Sequence, residues 1–287
     1  MNATNIAWTD FTWNPITGCT SASSGCKNCY AKTVHERFND TPFSDIIFHD
    51  KRLEEPLRRK KPCKIFVGSM TDLFQSGVGY RDLEQIMQAI VDSPQHTFQI
   101  LTKRAENMKK FFEWFYGKED NKIRHFSNFD KYRSKTIPNL WIGVSAEDQK
   151  TSNERIPLLL DTPAAKRFVS IEPMIGKIDI DMLVINNEFD TIRNIVSPLM
   201  GTKTKWFGRS LENEEECNRL DWVIVGGESG AKSVTRPMEQ SWVSGVYNDC
   251  VRTDIPFFFK QEGAHKFKRV NSDEKFIFEQ VQDYPIS

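Results

Sequence analysis

Cys19, Cys26 and Cys29 put three thiols within eleven residues of the run ITGCTSASSGCKNCYA. A thiolate, not a thiol, ligates metal, and an unperturbed Cys titrates near ~8.5, so such clustering makes chemical sense when a metal draws the protons off. Three cysteines suit a [4Fe–4S] cluster, whose fourth iron then stays open to an exogenous ligand. Zn²⁺ is the alternative, with His35 or Cys63 as a fourth ligand beside Cys19, Cys26 and Cys29. His35 falls about two turns into a helix-like stretch, YAKTVHERF, which makes closing around one ion harder. The third alternative is three reduced cysteines in a turn. Cys63, Cys217 and Cys250 are scattered, and Cys250 reads as core.

The elements that must position this trio show as short apolar runs, each finishing in polar groups. They are CKIFVGSMTD (63–72), HTFQILTKR (96–104), NLWIGVSAED (139–148), AKRFVSIEP (165–173), DWVIVGGESG (221–230) and IPFFFKQEG (255–263). Nearly continuous apolar runs suit strands buried on both faces, as in parallel sheets. Helix-like periodicity separates most of them, at 80–93, 104–117, 149–161 and, more weakly, 239–253. With a first strand near FTWNPITG the count is about seven. The expected fold is therefore α/β, a complete or partial TIM-barrel-like (β/α) barrel of parallel strands, in one domain spanning 1–287. A doubly wound open sheet is the runner-up. Two stretches break the alternation and read as insertions, near 116–135 and 185–220.

In a barrel the C-terminal strand ends share one mouth. Ser69, Asp72, Ser145, Glu147, Gly226, Gly227 and Glu228 are the candidate cofactor-binding residues there, and Lys103, Glu172 and Lys260 the candidate catalytic ones. Glu172, just before Pro173, is expected either to pair, with Lys260 as the partner, or to point into the mouth. Asp148 suits the N-cap of the next helix. RRKKPCK (58–64) reads as a solvated stretch leading into a strand, with nucleic-acid contact as the alternative.

Composition narrows the function classes. Lys and Arg total 39 against 39 Asp and Glu, which argues against coating nucleic acid by bulk charge. With 21 Phe and 7 Trp the core needs no disulfide staples. No run approaches the ~20 apolar residues of a membrane span, and the start lacks the pattern of a signal peptide. The expected setting is cytoplasmic and reducing, away from membranes, where clustered cysteines read as metal-binding or catalytic.

The motifs WTDFTWNPITGC…GCKNCYA, FVGSMTDLF, HTFQILTKR, LWIGVSAEDQ, RFVSIEPMIG, DWVIVGGESG, RPM and PFFFKQ resemble, in order, a widespread phage and bacterial family with an N-terminal three-cysteine motif. That family looks like a divergent branch of the radical S-adenosylmethionine (SAM) superfamily. The resemblance implies a [4Fe–4S] cluster on Cys19, Cys26 and Cys29, SAM on the open iron, and reductive SAM cleavage that starts radical chemistry. It also implies a reductant protein such as a flavodoxin or ferredoxin, and a substrate for which nucleic acid or a nucleotide is the preference. The spacing departs from the superfamily's C-x₃-C-x₂-C, being C-x₆-C-x₂-C, and Asn28 stands where an aromatic residue is usual. The alternative function is a non-catalytic iron–sulfur or zinc-stabilised module that binds nucleic acid or a partner protein.

Overall fold

The computed structural model describes residues 1–117, 136–186, 192–207, 210–269 and 276–285. In chain order the strands are β1 (Asn2–Ala3), β2 (Phe11–Trp13), β3 (Ile16–Thr17), β4 (Ile47–Phe48), β5 (Lys64–Val67), β6 (Thr97–Thr102), β7 (Leu140–Ser145) and β8 (Lys166–Ile171). They continue with β9 (Leu183–Asn186), β10 (Ile192–Ser197), β11 (Thr202–Phe207), β12 (Ser210–Glu216), β13 (Trp222–Gly226) and β14 (Phe257–Gln261). The helices are α1 (Tyr30–Phe38), α2 (Glu55–Arg58), α3 (Tyr80–Val91), α4 (Ala105–Tyr116), α5 (Gln149–Leu160) and α6 (Gln240–Thr253).

The fold is mixed α/β around one large, mostly parallel sheet of eight strands, in the order β1-β2-β5-β6-β7-β8-β13-β14. The short β1 is antiparallel to β2, whereas β2–β5, β5–β6, β8–β13 and β13–β14 are parallel. Each expected strand from 63 onward is present, and the four expected helices match α3, α4, α5 and α6 to within a few residues. The chain divides into two compact units, one of residues 1–22, 29–143 and 162–166, the other of 23–28, 144–161 and 167–287.

In the first unit, α4 turns Met108, Phe111, Phe112 and Phe115 inward, the i, i+3, i+4, i+7 spacing of one helix face. All four are fully buried, and Phe111 and Phe112 pack on Phe74. Each such ring contributes roughly 2–3 kcal/mol by leaving water. Trp13 of β2 meets Phe98 of β6 edge-on.

In the second unit, every residue of β13 is buried, as expected of a strand covered on both faces. Trp222 packs between Phe168 and Phe258, and its indole N–H donates to the Asp283 carbonyl. Between β8 and β13 the chain makes a separate antiparallel sheet, β12-β11-β10-β9. That sheet falls largely within the stretch 185–220. Its edge strand β12, SLENEEE, is exposed throughout, and a row of carboxylates discourages edge-to-edge pairing. The other expected insertion, 116–135, lies almost wholly at 118–135, outside the described residues. Among the described residues no helix is long and apolar enough to cross a membrane.

Candidate functional site

None of the six cysteines is in a disulfide, and Cys19, Cys26 and Cys29 are each half-buried. Cys19 follows β3, Cys26 ends a single 3₁₀ turn (Ser24–Cys26), and Cys29 immediately precedes α1. Among the described residues no three His, Cys, Asp or Glu side chains are gathered into a metal-holding group. The backbone from which the thiols hang, by contrast, is tied down at many points.

In the first unit the ties fall on residues 18–20. Gly18 has φ +92°, and a Cβ there would lie 2.0 Å from the Asp45 carbonyl oxygen, so only glycine fits. Thr71 Oγ1 and Gln75 Nε2 both donate to the Gly18 carbonyl, at 2.6 and 2.7 Å. Cys19 N–H donates to the Phe43 carbonyl at 2.7 Å, and Thr20 N–H to Gln75 Oε1 at 3.0 Å. Arg104 then donates to both the carbonyl and the hydroxyl of Thr20, each at 2.8 Å.

Asp72 is what aims Arg104. Its carboxylate accepts from Arg104 Nη1 (3.0 Å), Lys103 N (2.9 Å), Thr102 Oγ1 (2.6 Å) and Phe74 N (3.1 Å). A nearly buried carboxylate with four donors is held in place by the chain itself. Ser69 is likewise engaged within the chain, exchanging hydrogen bonds with the Asn14 amide at 3.1 and 3.2 Å.

In the second unit the ties fall on residues 23–28. Glu147 has no solvent exposure, pairs with Arg155 at 3.0 Å and accepts from Ser23 Oγ at 2.8 Å. Arg155 also donates to the Ser145 carbonyl at 2.8 Å. Gly25 lies directly on the Glu147 carboxyl group, its absent Cβ 2.4 Å from Oε1. Arg236 Nη1 donates to the Ser24 carbonyl at 3.0 Å, and Asn28 Nδ2 to the Val234 carbonyl at 3.0 Å. Glu228 orients Arg236, accepting from its backbone N–H at 2.8 Å and its Nε at 3.0 Å. Burial alone would raise the Glu228 carboxyl, but the Arg236 hydrogen bonds outweigh it and hold the group below the usual range.

Further along the same unit, Glu172 pairs with Lys260, the partnership expected from sequence, and both side chains keep about a fifth of their surface exposed. The Glu172 carboxyl overlies Gly226, whose Cβ would come to 3.4 Å. Gly227 approaches the Glu262 carbonyl so closely that a Cβ would sit 2.0 Å from it. Asp148 caps α5, accepting from Thr151 N at 2.9 Å.

The strand-end residues therefore fall into two sets. Asp72, Glu147 and Glu228 hold the cysteine-bearing segment through Arg104, Ser23 and Arg236, rather than presenting open carboxylates. Glu172 and Lys260 form an accessible ion pair. Arg155, Arg236, Gln75 and Gly25 were not expected. Arg236 and Gly25 had a signal, in the motifs RPM and GCKNCYA, and the other two are ordinary residues whose role appears only when the chain folds back on them.

The alternative fourth zinc ligands are otherwise engaged. His35 Nε2 donates to the Thr41 carbonyl at 2.8 Å. Cys63 Sγ lies 3.4 Å from His96 Nδ1, and His96 Nε2 faces the Arg59 carbonyl at 3.0 Å. Cys63 also precedes β5, whereas Cys19 follows β2, the parallel neighbour of β5. These two cysteines thus belong to opposite ends of the paired strands.

Over residues 3–283 the chain matches the model of a family described as Protein of unknown function (DUF5131). No curated protein and no solved structure matches it.

Proposed function

Taking as premise that the chain belongs to the DUF5131 family, we propose that it is a radical SAM-like enzyme whose Cys19, Cys26 and Cys29 hold a [4Fe–4S] cluster. One observation carries the reading. The segment bearing the three thiols is tied at Gly18, Thr20, Ser23 and Ser24 by buried or half-buried charged and amide side chains, an outlay no ordinary surface turn requires. Three reduced, half-buried thiols are the donor chemistry such a cluster takes. The N-terminal end of α1, at Cys29, carries a partial positive charge that suits an anionic group. When bound, the cluster would supply one electron to SAM on its open iron, the electron coming from a flavodoxin- or ferredoxin-like reductant.

The chain's own residues do the rest. Asp72–Arg104 and Glu228–Arg236 keep the ligand backbone in place, and Glu147 supports it through Ser23. Glu172 and Lys260 are the accessible acid–base pair, Lys260 Nζ donating a hydrogen bond to Glu172 Oε1. Lys103, whose backbone N–H binds Asp72, is the further cation proposed for substrate. The large, mostly parallel sheet with alternating helices supports a complete or partial barrel.

A second reading, a metal-stabilised module without catalysis, is favoured by the same three carboxylates being spent on the chain itself. Anaerobic purification with iron, sulfide and zinc analysis separates the readings. Iron and sulfide in cluster proportion, lost in Cys19→Ala, Cys26→Ala and Cys29→Ala but kept in Cys63→Ala, are expected. Stoichiometric zinc without sulfide would overturn the cluster. A cluster that releases no 5′-deoxyadenosine from SAM under several reductants would leave the binding module.

A further inference from the structure

Within the first unit, the N-terminal ends of β2 and β5 border an open concavity of about 510 Å³, at the strand ends opposite the cysteine segment. Phe11, Arg58, Arg59, Lys60 and Lys61 line it, with Glu55 the lining carboxylate. Glu55 is itself engaged by the amino group of Met1.

Arg59 is built into this surface. Its carbonyl accepts from Gln95 Nε2 at 2.9 Å and faces His96 Nε2 at 3.0 Å, which pins the backbone. Its guanidinium lies 4.0 Å above the Phe11 ring, and its buried Nε has no hydrogen-bond partner. A guanidinium stacked on an aromatic ring is flat, preorganised and still rich in donors. Arg58 is held only by Glu54, at 2.7 Å in an exposed pair that a phosphate can displace. Lys60 reaches only the Leu57 carbonyl, at 3.5 Å, and both Lys60 and Lys61 are exposed. Four consecutive cations and the Met1 amino group thus stand against two carboxylates, Glu55 in the lining and Glu54 beside Arg58, in a chain whose net charge is zero.

We infer that this concavity binds the phosphodiester backbone of single-stranded nucleic acid, with a base stacked on the Arg59–Phe11 platform. The row of cations meets successive phosphates, and the Arg forks take them bidentately. The stacked guanidinium is what favours a nucleotide chain, every unit of which carries a broad flat base, over an acidic peptide, whose charged side chains offer only a carboxylate's area to stack. The inference stands whether or not the cysteine segment holds a cluster.

The test uses the full chain and a fluorescein-labelled oligothymidylate of about 15 nucleotides, a length that spans such a site, with binding read by anisotropy. Four phosphate contacts on a single strand give a log–log salt slope of about −3, or roughly 50-fold weakening between ~50 and ~200 mM salt. The double variant Lys60→Glu/Lys61→Glu is expected to halve that slope and weaken binding at least ~10-fold at the lower salt. Lys150→Glu/Lys232→Glu, which changes the net charge equally at exposed positions elsewhere, is expected to bind like wild type. Absence of binding, equal weakening by both double variants, or equal displacement by polyglutamate of matched charge would each overturn the inference. Unchanged melting temperatures show that loss of binding is not loss of fold.

Discussion

Replacing Gly25 with Ala tests whether the cysteine-bearing turn is built onto Glu147. A Cβ at position 25 would lie 2.4 Å from Glu147 Oε1, 2.5 Å from its Cγ and 2.7 Å from its Cδ. Each is about an ångström inside ordinary contact, so one partner must move. Glu147 is fully buried and paired with Arg155 at 3.0 Å. Breaking one side of such a pair costs about 3–5 kcal/mol. The turn can instead lift, losing the Ser23–Glu147 bond, a charge-assisted contact worth about 1.5–3 kcal/mol. The second route is the lower, so Gly25→Ala should lose about 1.5–3 kcal/mol and melt roughly 3–10 °C lower. The mechanism has its own signature in a double-mutant cycle. Ser23→Ala should destabilise the wild-type chain but add less than about 0.5 kcal/mol in the Gly25→Ala background, because the bond is already gone. On the proposed cluster reading, iron and sulfide in the anaerobically purified variant should fall with stability, since the lifted turn carries Cys26. A Gly25→Ala protein that melts with wild type, or in which Ser23→Ala remains fully additive, would refute the reasoning.

Asp72→Asn turns one acceptor edge into a donor facing Lys103 N and Arg104. A loss of about 3 kcal/mol is expected, the lower end for opening a buried pair, read from the urea midpoint. Glu228 adds a pH dependence. Its folded pKa lies below the unfolded one, so its stabilisation is fully present above the unfolded value of about 4.3 and is lost as pH falls through the lower folded value. Urea midpoints measured from pH ~6 down to ~3 should therefore fall more steeply for wild type than for Glu228→Gln, and parallel curves would contradict the assignment.

Much of this was legible in the sequence because it is local. The buried strands announce themselves as unbroken apolar runs such as WVIVG, the helices by spacings such as that of Phe111, Phe112 and Phe115, and the α5 cap by Asp148 before Gln149. The Glu172–Lys260 pair was also foreseeable, since both sit at the ends of parallel strands. What escaped is non-local. Asp72, Glu147 and Glu228 look alike in sequence whether they face a ligand or the chain's own backbone, and only the folded loop decides. The β9–β12 sheet escaped for another reason. Strands such as SLENEEE and TKTKWF are solvated and lack the apolar signal by which strands were recognised.

The anchors of the cysteine segment arrive late in time as well as far along the chain. Ser23 waits for Glu147, 124 residues downstream, and Ser24 for Arg236, 212 residues downstream. At a synthesis rate of ~5–20 residues per second, the second wait lasts roughly 10–40 s. During that interval Cys19 can already be tied through Phe43, Gln75 and Arg104, whereas the turn carrying Cys26 still lacks its own anchors. The two compact units are also threaded through each other in sequence, in six alternating segments. Neither can be completed early, and no single cut would release either one whole. A newborn chain therefore leaves the turn bearing Cys26 most open to thiol oxidation before its last third exists.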